Sequence, residues 1–327
     1  MRSGLNDYFC ALQDAKSWMG LSDLCRVHRN AVPHERTIRR WHRKLGDSLV
    51  VTPVFAVEGF GLTHLHAFLI SPMDGWESFP YAVESAWVTT DGLSEVLYLH
   101  CVVPIEQLTV VKRKLREFAR DCQVVPSDTG WERCVAGGKP ILPSFNVGGV
   151  AREGLLQNSP LVVPATFEAW GRTLSLDGVW RRMKDRLGSS MRDYFPSQRY
   201  YATNGKLHVK NAFEVLSREG LFRQFAVRPS LDNSIEAFAV MDHACIDKFL
   251  GAASADCFKI AVHPGSDGCL LRVAGSPRLF DSLLNCERRL FWVNRSATKA
   301  AGFPVRFAYE SLFCPGSGEW LLPEESR

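Results

Sequence analysis

An α+β chain that carries one element order twice is what three observations predict. A basic amphipathic helix runs into a short apolar strand, LVV, at 49–51. After it the apolar period changes from helical to alternating, in the order strand, helix, strand, strand, helix, strand. After a proline- and glycine-rich stretch at 126–165 a similar succession follows, so the 327 residues read as a fused pair.

Residues 5–18 form a first helix with Leu5, Phe9 and Leu12 inside, and Gly20 ends it. Residues 21–29 form a second, and Asn30 to Pro33 make a turn. In PHERTIRRWHRKLGDSLV (33–50), Ile38, Trp41 and Leu45 share the inner face of a third helix, while Arg36, Arg40 and Arg43 share the outer one. Pro33 suits its first turn and Gly46 its stop. Strands at 49–57 and 64–70, linked through Gly59-Phe60-Gly61, complete a winged helix-turn-helix order. Next come a short segment at 75–82, strands at 85–90 and 95–104 joined at Asp91-Gly92, and a helix at 105–122. With a last strand after it, this is the split β-α-β order of a ferredoxin-like unit.

The second succession is fainter. A basic helix spans 171–187, and another at 206–222 has Val209, Phe213 and Leu216 inside. Strand 235–243, helix 245–253, strands 257–265 and 269–277, helix 278–293 and strand 303–313 then match the first half. The expected layout is a winged helix-turn-helix (1–58), a ferredoxin-like unit (59–135), a linker (136–168), a second winged helix-turn-helix (169–230), a second ferredoxin-like unit (231–315) and a tail (316–327).

Composition is that of an ordinary globular chain, 46% hydrophobic and 23% charged with a net charge of +4. Positive charge is nonetheless concentrated. Between Arg26 and Lys44 stand seven lysines and arginines against Glu35 alone, which is how a footprint for phosphate looks. The competing account of such a helix is a merely solvated face. No run of about 18 apolar residues spans a membrane, no secretion signal is recognisable, and the ten cysteines hold no CxxC pair. Reduced thiols in the cytoplasm are expected.

Thr37-Ile38, Arg39-Arg40, Leu45 and Val50 fall where the Lrp/AsnC (feast/famine) regulators carry their recognition helix and following strand. Gly61-Leu62 matches that family's glycine before its first sheet strand, and Asp91-Gly92 and Asp267-Gly268 sit where it lines an effector pocket. The chain resembles this family in a tandem arrangement. The resemblance implies a cytoplasmic transcription regulator that is not an enzyme and has no cofactor. It implies duplex DNA as partner, a small amino-acid-like effector, and assembly into dimers or higher oligomers. DNA contacts would come from Arg36, Thr37, Arg39, Arg40, Arg43 and Lys44, and from Lys206, His208 and Lys210 in the second half. Effector contacts would come from Asp91, Gly92, Asp267 and Gly268.

An alternative is an enzyme on the same scaffold. Siroheme decarboxylases resemble paired Lrp-like chains and hold a tetrapyrrole with basic and histidine side chains. Neither hairpin carries a His-Trp-x-Tyr-Asn-like stretch, and His100, His243 and His263 stand isolated along the chain. His64 and His66 point the same way on one strand, as a packed or hydrogen-bonded pair or as two metal ligands. A co-regulator that docks proteins on its sheets is a third option.

Overall fold

In a computed structural model the described residues are 34–45, 49–55, 57, 61–90, 95–127, 131–134, 222–229, 235–253, 257–265, 268–284 and 290–294, with residues 7, 8, 10, 11, 13, 25–27, 313–314 and 319–320. They are α+β, with mostly antiparallel sheet and few helices. The chain divides into two units, and each draws on both halves of the sequence. Unit 1 takes residues 1–59 and 154–232, and unit 2 takes residues 60–153 and 233–327.

In unit 1, helix α1 (Glu35–Leu45) starts at His34. The His34 ring accepts a hydrogen bond from the Arg36 backbone N–H at 3.2 Å, doing the work of an N-cap. Ile38 and Trp41 are buried, and the Trp41 ring lies 6.4 Å from that of Tyr8. Strand β1 (Leu49–Phe55) follows. The expected wing partner at 64–70 is not its neighbour. β1 pairs antiparallel with a strand far along the chain, β7 (Phe222–Pro229), with Val51 opposite Val227.

Unit 2 is organised by one nine-stranded antiparallel sheet. The first half supplies β2 (Leu62–Pro72), β3 (Ala82–Thr89), β4 (Val96–Pro104), helix α2 (Leu108–Glu117), β5 (Ala119–Ser127) and β6 (Trp131–Cys134). The second supplies β8 (Ile235–Met241), helix α3 (Ile246–Ala253), β9 (Cys257–Gly265), β10 (Gly268–Gly275), helix α4 (Arg278–Leu284) and β11 (Leu290–Val293). Strand order is β5-β2-β4-β3-β11-β8-β10-β9-β6. In each half a third strand lies between the two that flank a crossover, the split β-α-β arrangement.

Two helix ends differ from expectation. The helix placed at 105–122 ends at Glu117; the Phe118 ring packs edge-on against Phe79 and Ala119 opens β5. The helix placed at 278–293 ends at Leu284, and LFWV forms β11, the last strand expected at 303–313. Aromatic and β-branched residues favour that strand. Of 303–313 only Phe313 is described, in a short pairing of Phe313–Cys314 with Glu319–Trp320.

Each half lends a strand to the other. β11 lies beside β3, with Trp292 opposite Thr89, and β6 lies beside β9. The sheet then rolls until β5 meets β9, where the Ser127 hydroxyl donates to the Pro264 carbonyl at 3.0 Å. Alternation along the strands sorts the side chains. Ala237, Ala239, Leu271 and Val273 face outward beneath α3 and α4. Phe68, Tyr98, Val125, Phe238, Leu270 and Phe291 face inward and pack between the two half-sheets. Phe68 stacks on Phe291 at 4.0 Å and Tyr98 meets Phe238 at 4.1 Å.

Candidate functional site

The same inward face carries histidines. His64 and His66 sit two apart on β2, one strand period, and so share a face with Phe68. The register sets His66 opposite His100 on β4 and Phe68 opposite Tyr98. From the other half-sheet β9 brings His263 across, with its ring 4.3 Å from that of His66 and 5.9 Å from those of His64 and His100. His66 and His100 stack at 4.6 Å. Two histidines that stand isolated in the sequence thus join the adjacent pair. The signal was the shared inward parity, legible only once the register of β4 and the approach of β9 are given.

Hydrogen bonds order these rings. His64 Nδ1 and His100 Nε2 lie 2.9 Å apart, and His66 Nδ1 lies 2.9 Å from the Tyr98 hydroxyl. His66 is fully buried, and its Nε2 has no hydrogen-bond partner among the described residues. Burial pushes the Tyr98 hydroxyl well above its usual range, with the nearby Glu84 charge adding to the effect, so it stays protonated. Donation from Tyr98 to His66 Nδ1 leaves one orphan, a hydrogen on Nε2. The opposite polarity leaves two, the tyrosine hydrogen and a bare ring nitrogen. The first arrangement costs less, so His66 presents an N–H with no acceptor among the described residues.

Electrostatics keep the buried rings neutral. Burial lowers His64 to a pKa of about 4. Burial also lowers His66 strongly, with the neighbouring His263, His100 and His64 and the Arg272 guanidinium acting in the same sense. His100 and His263 are only half-buried, so the cluster has an accessible edge. Beyond Tyr98 lies a buried ion cluster. Arg272 on β10 donates from Nη1 to Glu84 at 2.9 Å and from Nε to Glu236, with its guanidinium 5.2 Å from the Phe238 ring centre. The rings stack rather than converge. Among the described residues no group of three or more His, Cys, Asp or Glu is arranged to hold a metal ion.

The residues singled out for DNA contact lie elsewhere. On α1 in unit 1, Arg36 and Arg40 are exposed and Thr37 is half-buried. Arg39, Arg43 and Lys44 are also on α1, with side chains outside the described set. Lys206, His208, Lys210, Asp91, Gly92 and Asp267 lie outside the described residues. Gly268 opens β10 with φ +148°. Among the described residues no helix is long and apolar enough to cross a membrane.

No family model matches the sequence, and no curated protein does. Among solved structures, the chain is similar to the siroheme decarboxylase NirDL, free and in co-complex with an iron-uroporphyrin III analogue. Each shows 10% identity and a TM-score of 0.45, covering 89% of this chain and 91% of that one. The sequence reading expected a non-enzyme; the solved structures similar to this chain are of an enzyme, and that expectation is dropped. None of the comparisons supplies a transcription regulator.

Proposed function

We propose that the chain is an enzyme on an Lrp-like scaffold, with the histidine cluster as its acid–base centre and a tetrapyrrole carboxylate as substrate. This is the siroheme-decarboxylase-like alternative of the sequence reading. The observation that carries it is His66, a fully buried imidazole whose Nε2 has no hydrogen-bond partner among the described residues. Leaving such a group unsatisfied costs about 1–3 kcal/mol of stability, so the site is built for something other than the fold. Removal of a carboxylate as CO2 leaves an electron pair on carbon that must take a proton. An imidazole ring can take a proton on one nitrogen as it gives one up from the other, so a cluster of rings can relay that proton. The half-buried His100 and His263 give substrate and protons a way in, and the His66 N–H offers an acceptor oxygen its missing partner.

The test is titration of the protein with iron-uroporphyrin III, followed by the Soret band and by release of CO2. Binding with a Soret shift is expected, together with CO2 loss that falls at least tenfold in His66→Gln and His100→Gln. An unchanged Soret band at excess protein sinks the proposal.

A second reading concerns α1 alone and takes up the finer layout, in which tandem winged helix-turn-helix units bind duplex DNA. Exposed Arg36 and Arg40 above buried Ile38 and Trp41 favour it. Affinity for bulk duplex should then fall steeply with salt, and replacing both arginines with alanine should lower the slope of log K against log salt by about 2. Equal slopes for the two proteins would remove this reading.

A further inference from the structure

Unit 2 contains a counterpart of the His66 position, and it is filled differently. His66-Ala67-Phe68 on β2 and Glu236-Ala237-Phe238 on β8 match in sequence and in place, each on the first strand of its split unit. In register, Phe68 faces Tyr98 and Phe238 faces Arg272. His66 faces His100, and Glu236 faces Ala274. Where the first half bonds a histidine to a tyrosine at 2.9 Å, the second bonds a glutamate to an arginine. Among the described residues, one of these matching positions thus carries the histidine site and the other an ion cluster.

That ion cluster reaches back to the histidine site through packed groups. Arg272 lies over the Phe238 ring, Phe238 packs on Tyr98, and Tyr98 bonds His66. Glu84, which also holds Arg272, sits on β3 directly opposite His100. Burial works against the Arg272 charge, but Glu236 and Glu84 outweigh it and hold the guanidinium ionised. A buried ion pair adds little net stability over an apolar filling, so its placement calls for another account. We propose that Arg272, clasped by Glu236 and Glu84, is a positioning residue for His66: it pins Phe238 against Tyr98 and so selects the ring tautomer that His66 carries.

His66 is faced by His64 on its own strand, by Tyr98 and His100 from β4, by His263 from β9 and by Arg272 from β10, with Glu84 on β3 and Glu236 on β8 behind them. The test is nitrogen-15 NMR of the imidazole rings in the full chain, for the wild type, Arg272→Met and Phe238→Leu. Phe238→Leu leaves the Arg272 pairs with Glu236 and Glu84 in place and removes the aromatic ring that lies between Arg272 and Tyr98. The wild type should show His66 as one tautomer, protonated on Nε2, from pH 6 to 8. Both variants should show a mixture of tautomers. In Arg272→Met the His66 titration midpoint should also move up, because a nearby positive charge is gone. A single unchanged tautomer in folded Phe238→Leu overturns the proposal, and that variant decides alone if Arg272→Met does not fold. The readout needs no substrate, so it stands or falls separately from the decarboxylase reading.

Discussion

Burial holds His64 near a pKa of about 4, against an ordinary 6.5, and lowers His66 in the same direction. The unfolded chain therefore binds protons that the folded chain refuses. Stability is full above pH 6.5 and is lost as the pH falls toward 4, at up to about 1.4 kcal/mol per pH unit for His64 and about 3 kcal/mol across the window. Urea unfolding at pH 7.0, 6.0 and 5.0 should show this decline, and His64→Gln should flatten it. Equal midpoints at pH 7.0 and 5.0 would show that the rings are not buried neutral. Tyr98→Phe is expected to cost about 1–3 kcal/mol in the same assay, because His66 Nδ1 then loses its hydrogen-bond partner at 2.9 Å. At this scale the sequence disclosed the His64–His66 pair through its two-residue spacing. It did not disclose His100 and His263, which join only through strand pairing across 36 residues and an approach from the far half-sheet.

Element order was legible because hydrophobic period marks it. Three strands and both helices of the second split unit start close to where alternation and turn glycines placed them, whereas the last strand, expected at 303–313, is Leu290–Val293, inside the stretch read as the end of the second helix. Pairing was not legible. β1 finds β7 rather than its neighbour in sequence, because a short apolar strand carries no record of which edge it will meet. One junction depends on an absent side chain. A Cβ on Gly265, at the end of β9, would lie 2.0 Å from the Pro126 backbone oxygen on β5. No rotamer relieves a clash with backbone, so Gly265→Ala must push β9 off β5 and break the Ser127–Pro264 hydrogen bond. A loss of about 3 kcal/mol or more is expected, by the overpacking argument. The neighbouring Gly268→Ala meets the Met241 carbonyl at 3.1 Å with φ +148°, and it should cost about 1–3 kcal/mol without parting β9 from β5. Thermal melting of the two variants side by side checks the order.

At the scale of the molecule, sequence order and spatial division part company. A fused pair suggests two halves that fold separately, yet each unit is assembled from both. The first half alone would leave the face carrying Phe68, Tyr98 and Val125 uncovered, and the edge of β3 without β11. An apolar face and an open strand edge of that kind invite aggregation. Two polypeptides, residues 1–153 and 154–327, should therefore be insoluble when made singly and form a 1:1 complex when made together. The histidine cluster should appear only in that complex, because His64, His66 and His100 belong to one piece and His263 to the other. Held in solution by denaturant, the first piece should show His66 titrating near the ordinary 6.5, and the refolded complex should show it lowered. A first piece that is soluble, monomeric and already holds His66 neutral at pH 5.5 would mean that the half-sheets do not need each other. The packing of Phe68 on Phe291 and of Tyr98 on Phe238 would then be incidental to the site.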